Sequence, residues 1–155
     1  MSVTITDIKY SDLIFIKKNS KYVLDTPANI EVYYTKNKKE YKLSVKLKTG
    51  FRTDGASVPT IFSWFLPKWD NKNMTYNCAA IVHDCLYTLE GACNFTREES
   101  DDFLRGIWRI SGISRFKAGV GDLCVGWFAG GESHWGSDDL DNDKNDLIKA
   151  YVTKP

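Results

Sequence analysis

The chain holds only two histidines, and one of them lies inside the apolar run Ala80-Ile81-Val82-His83-Asp84-Cys85-Leu86-Tyr87. An imidazole is the side chain best suited to trade a proton near neutral pH, and a carboxylate bonded to one ring nitrogen fixes the tautomer and raises the basicity of the other. Tyr76, Ala80, His83 and Tyr87 recur at helical spacing, so they share one side of a helix, with Asp84 beside His83. In the following segment Glu98, Asp102, Arg105 and Arg109 fall on one charged stripe, whereas Asp101 lines up with Leu104 and Trp108 on the apolar flank. An inward carboxylate needs a partner, because an unpaired buried charge is very costly. Arg97 on its own helix and His83 on the preceding one are the candidates. Paired with Asp101, His83 could take a proton from water or a substrate hydroxyl, and Asp84 would be free to take a hard cation such as calcium, which prefers oxygen ligands. The same pair could instead be a buried polar clamp that only fixes helix packing, since structural ion-pair networks imitate catalytic ones.

Positioning these side chains takes a change of period along the chain. Residues 1–60 read mainly as strands. "EYKLSVKLK" sets Tyr41, Leu43, Val45 and Leu47 on one face against Lys42, Ser44, Lys46 and Lys48 on the other, and "NIEVYY" repeats the pattern with Ile30, Val32 and Tyr34. "TKNKK" between them is a hairpin connection, and "VTITDI" and "DLIFI" are weaker strands. Short connections favour a small antiparallel sheet. Residues 74–130 read as helical. The first helix starts near Met74, and the second opens on the capping box Thr96-Arg97-Glu98-Glu99 and runs to Gly112. A third is expected from Ser114 to Gly130-Gly131, with Phe116, Val120, Leu123, Cys124 and Trp127 on one stripe. The short "EGACNF" connection makes the first two helices antiparallel neighbours and brings His83 to Asp101. Residues 137–155 read as an acidic tail. The expected fold is a single α+β domain over residues 1–155, a small N-terminal antiparallel sheet packed against about three C-terminal helices.

Composition narrows the function classes. With 155 residues and a formal net charge of +1, the chain fits one soluble domain and not a nucleic-acid binder driven by bulk charge. No apolar run approaches a membrane span, and "MSVTITDIKY" lacks the pattern of a signal peptide, so the chain reads as soluble and cytosolic at birth. Cys78, Cys85, Cys93 and Cys124 show no zinc-type pairing and are expected as buried thiols. Lys36, Lys38 and Lys39 form a basic cluster, read as a solvated surface or as a face for anionic headgroups or another polyanion.

The ordered motifs "FRTDGASVP", "AAIVHDCLY" and "TREESDDF", followed by "GGESHWG", resemble the bacteriophage and prophage family known as domain of unknown function 1353. The resemblance covers roughly residues 40–136, on Arg52, Thr53, Asp54, Gly55, Ala56, Ser57, Pro59, His83, Asp84, Tyr87, Arg97, Asp101, Phe103 and Trp135. It implies a viral origin, hence a host-cytoplasmic or virion-associated protein, and an uncharacterised activity. His83-Asp84-x-x-Tyr87 followed by an aspartate on the next helix is also similar to the core of secretory-type phospholipases A2. That likeness implies His83 as general base for water, Asp84 on calcium, Asp101 orienting His83, and Tyr87 supporting the network. The phospholipase family's glycine-rich calcium loop is not reproduced here; "TDGAS", with backbone carbonyls or Asp54 as ligands, stands as its substitute.

Other readings attach to the remaining motifs. "FRTDGASVP" is also a common turn recipe, and its Arg52 and Asp54 could pair with Asp101 or Arg97. His134 with His83 and a carboxylate would give a two-His, one-acid zinc hydrolase acting on peptidoglycan, although no H-E-x-x-H spacing is present. "IFSWFLPKW" reads as core and rim packing or as an apolar lip for a membrane or protein partner. The leading expectation is a phage hydrolase using His83 and Asp101, supported by Tyr87, Arg97 and Arg52. It would act on a lipid or cell-envelope ester, with Asp84 and Asp54 on a divalent cation. The alternative is a non-enzymatic phage protein that binds a host or virion partner, its polar cluster purely structural.

Overall fold

The computed structural model describes residues 2–56, 66–114, 135, 136 and 138–155. Five strands open the chain: β1 (Thr4–Tyr10), β2 (Phe15–Lys18), β3 (Lys21–Leu24), β4 (Ala28–Lys36) and β5 (Lys39–Leu47). A short β6 (Arg52–Thr53) leads toward α1 (Met74–Thr88) and α2 (Arg97–Ile110), and β7 (Ile148–Thr153) follows. The fold is α+β with antiparallel pairing throughout the described ladders.

The strands form two sheets where one small sheet was expected. A four-stranded sheet has the order β1-β4-β5-β7, and a three-stranded one the order β2-β3-β6. The β4–β5 hairpin turns at Asn37 and Lys38, with φ of 53° and 62°, the mirror-image two-residue turn that suits the right-handed twist of its strands. Alternation then sets the register: Ile30, Val32 and Tyr34 on β4 and Leu43, Val45 and Leu47 on β5 all face the core. The end of the acidic stretch is not a tail. Ile148, Ala150 and Val152 alternate with Lys149 and Tyr151, and this pattern lets β7 pair with β5 from Leu47↔Ile148 to Lys42↔Thr153.

Two α-helices, not about three, lie among the described residues. The third expected helix, with Cys124 and Trp127, falls on 115–134, outside the described set, as do Trp64, Ser57, Pro59 and His134. Helix α1 is buried almost all round, from Tyr76 to Tyr87 with only Asp84 less enclosed, as suits a helix central to its domain. Helix α2 is amphipathic and lays Phe103, Leu104, Ile107 and Trp108 against the core. Tyr34 meets the rings of Phe95 and Phe103 edge-on, which seats α2 on the larger sheet. No helix among the described residues is long and apolar enough to cross a membrane.

At Gly106 helix α2 comes close against β1. A Cβ there would lie 2.2 Å from Ile5 Cγ1 and 2.7 Å from Ile5 Cβ, so β1 itself would have to shift. Gly106→Ala is therefore expected to lower the unfolding free energy by about 1–3 kcal/mol through overpacking, despite alanine's better helix propensity. Urea titration checks this, and a variant as stable as the parent would show that β1 moves aside without cost.

Candidate functional site

Local sequence fixes the two helices that carry the cluster. Asn73 caps α1, its Oδ1 accepting from the Tyr76 amide at 3.1 Å. The chain then reverses through Gly91 (φ 70°), Cys93 and Asn94, the last two both at φ 61°. The capping box forms as expected: Thr96 Oγ1 accepts from Glu99 N, and Glu99 Oε1 accepts from Thr96 N, each at 3.1 Å. Burial works against the Glu99 carboxylate, but Lys36 at 2.5 Å and the Thr96 amide hold its pKa below the usual range. Lys36, part of the basic cluster, thus ties the β4–β5 hairpin to the start of α2.

Across the α1–α2 seam His83 Nε2 lies 2.8 Å from Asp101 Oδ1, and the Tyr87 hydroxyl donates to the same oxygen at 2.8 Å. His83 and Tyr87 also approach ring to ring, with centroids 4.2 Å apart. The far face of Tyr87 is closed by Trp135, edge-on at 5.1 Å, and the Gly136 amide donates to the Tyr87 carbonyl at 2.8 Å. His83 is only 5% exposed. Its Nδ1 points toward Asp84, at 3.9 Å from Oδ1, too far for a hydrogen bond.

Charge decides the state of the ring. Burial alone would strip the proton from His83, but the hydrogen bond with Asp101 and then the nearby Asp84 carboxylate outweigh it and lift the pKa from 6.5 to about 9. Asp84 keeps 38% of its side chain exposed yet sits deep enough for burial to raise its pKa. The charge of Asp54 adds to that rise, while His83 and the Thr53 hydroxyl oppose it. The cluster therefore sets the side chains of Asp101 and Asp84 on either side of a His83 ring that carries its proton at neutral pH.

The sequence-derived candidates divide between this cluster and other places. His83, Tyr87 and Asp101 come together, with Asp84 and Asp54 alongside. Arg97 pairs with its neighbour Glu98 at 3.6 Å, because it stands at the first turn of α2, away from the seam. Arg52 ties β6 to the C-terminal segment: its backbone exchanges bonds of 2.9 and 2.8 Å with the Asn142 side chain, and Nη1 reaches the Leu140 carbonyl at 3.4 Å. Asp102, on the charged stripe of α2, is also engaged. It accepts from the Val3 amide at 3.0 Å and pairs with Arg105, and its side chain is 15% exposed against 20% for Asp101. Partners, not depth, separate the two aspartates. Thr53 and Trp135 complete the surroundings, and no spacing rule assigns either of them to this helix.

The calcium expectation meets a shortage of ligands. Calcium takes roughly six to eight oxygens, and among the described residues no three His, Cys, Asp or Glu side chains group as a metal site. Asp84 and Asp54 alone do not fit that ion. Cys78, Cys85 and Cys93 are free thiols.

An α+β domain whose central helix presents a His-Asp-Tyr cluster to a second, capped helix is the class that fold and site define. The chain belongs to the family described as "Protein of unknown function (DUF1353)", whose model matches residues 29–125, from β4 through α2, with the whole cluster inside the match. No curated protein and no solved structure matches the chain.

Proposed function

We propose that the protein is a hydrolase in which His83 is the general base for water, Asp101 and Tyr87 orient it, and the substrate is an ester of a lipid or cell-envelope component. A phage or prophage setting, with the protein in the host cytoplasm or on the virion, goes with this reading. One observation carries it: a single carboxylate oxygen, Asp101 Oδ1, holds both His83 Nε2 and the Tyr87 hydroxyl at 2.8 Å. When the ring is neutral, that bond keeps the remaining proton on Nε2 and leaves Nδ1 as the basic nitrogen, on the side of half-exposed Asp84. The base form is reached only as pH rises through about 9. Ester hydrolysis is therefore expected to climb with pH to a plateau, with its midpoint near 9.

The test follows fatty-acid release from phosphatidylglycerol–phosphatidylcholine vesicles, and cleavage of a soluble short-chain ester, from about pH 6 to 10. Parent and His83→Gln are compared after both are shown to fold. Release by the parent alone supports the reading; a folded parent with no ester cleavage at any pH removes it.

A second reading has its own support. An imidazolium 5% exposed between two carboxylates is also a good clamp for the α1–α2 seam. The protein would then be a non-enzymatic partner of a host or virion protein, and His83→Gln would lose stability with no activity to lose.

A further inference from the structure

The β2–β3 hairpin exposes an unusual combination. Ile14 and Ile16 are 49% and 45% exposed, among the few large apolar side chains left open to solvent. They stand two residues apart on one face of the strand, while Phe15 between them turns inward onto Phe51 and Trp69. Lys17, Lys18 and Lys21 crowd the tip and are all exposed, while the nearest acids in sequence, Asp12 and Asp25, stand at the other end of the hairpin beside Leu13 and Ile14. The tip itself is a tight turn, with Asn19 and Ser20 at φ 48° and 67°, which sets Lys18 directly opposite Lys21. Like charges facing across a ladder repel. Among the described residues neither lysine has an acidic partner. The strand is also an edge, since β2 is the outer member of its sheet. Paired isoleucines flanked by unneutralised lysines match a surface that is anionic outside and apolar just beneath.

We propose that this hairpin docks the protein on an anionic lipid surface, with Ile14 and Ile16 entering the headgroup–acyl boundary and Lys18 and Lys21, on the same face, meeting lipid phosphates. The stacking of Tyr22 on Trp69, at 4.1 Å between centroids, braces the hairpin from behind, so the surface is presented preformed. Along the same sheet β3 pairs with β6, with Tyr22 opposite Thr53, which places the docking strands next to the segment that meets Asp84. The proposal does not depend on ester hydrolysis.

The test scores binding rather than turnover. The full chain is sedimented with vesicles of phosphatidylcholine containing about 30 mol% phosphatidylglycerol, and with phosphatidylcholine alone. The parent should partition to the anionic vesicles at least about tenfold better, and added salt should weaken it. Ile14→Ser/Ile16→Ser and Lys18→Glu/Lys21→Glu should each lower that partition on the order of tenfold, with unchanged circular dichroism and Tm because all four side chains are exposed. Lys38→Glu/Lys39→Glu makes the same charge change on the β4–β5 hairpin, where no large apolar side chain is exposed, and should leave binding close to the parent's. Three outcomes overturn the proposal: equal partition to neutral and anionic vesicles, an equal loss in the Lys38/Lys39 variant, or retention by a single-stranded oligonucleotide that the isoleucine variant preserves in full. His83→Gln should bind as the parent does, which keeps a failure of docking apart from a failure of catalysis.

Discussion

Asp101→Asn is expected to slow ester hydrolysis by at least about 100-fold at the pH where the parent is fastest. The substitution keeps the shape of the side chain and leaves an oxygen able to accept from the Tyr87 hydroxyl, so the α1–α2 seam should survive. What disappears is the negative charge 2.8 Å from His83 Nε2. On the proposed mechanism, that charge would hold the tautomer with Nδ1 unprotonated and stabilise the imidazolium formed as water attacks. Its loss has a second signature. The hydrogen bond with Asp101 is the largest single contribution raising the His83 pKa, so the midpoint of the rate profile should fall below the parent's value of about 9 even as the plateau drops. Initial rates on the short-chain ester across the pH range check both. A plateau within a few-fold of the parent's would mean that Asp101 does not orient the base.

The unfolding free energy is expected to fall by about 3 kcal/mol as pH rises from the ordinary histidine range through about 9. His83 binds its proton more tightly when folded, with a pKa of about 9 against 6.5 unfolded, and its side chain is only 6% exposed. Below 6.5 both states are protonated and the full stabilisation is present. As pH climbs through about 9 the folded protein loses the charge that its carboxylates favour, and the stabilisation goes with it. Asp84, whose pKa burial also raises, contributes with the same sign. Above about 9 the buried Cys85 thiol and the buried Tyr76 phenol, both pushed upward by desolvation, add losses of their own, so the His83–Asp84 pair is read in the window below 9. Urea unfolding of parent and His83→Gln at successive pH values reads the effect. The variant should lose clearly less stability than the parent across that window, and equal slopes in the two would show that the seam gains nothing from the charge on His83.

Much of this arrangement was legible in residue order, because local rules dictate it. Thr96 and Glu99 announce the start of α2, and once that phase is set Leu104 and Trp108 carry Asp101 to the inner flank. Alternation set the β4–β5 register in the same way. Contacts between distant segments were not legible. Nothing near Arg52 says that Asn142 will take its backbone, and nothing near Asp102 says that the Val3 amide will cap it. The split into two sheets is of the same kind: β3, already paired with β2, takes β6 on its other side rather than a strand of the larger sheet, a choice that goes with where Phe15 and Tyr22 find Trp69. Charge-rich composition also hid β7, whose apolar alternation is brief and follows a run of aspartates.

The pairing of β7 with β5 gives the protein a late step in its biosynthesis. During translation β5 emerges about 100 residues before its partner, and until Ile148–Thr153 is made it offers a row of open backbone groups beside Leu43, Val45 and Leu47. A ribosome-bound chain is thus exposed to pairing with its neighbours through that edge. Removing residues 148–153 would fix the molecule in this vulnerable condition, with aggregation, rather than simple unfolding, as its first consequence.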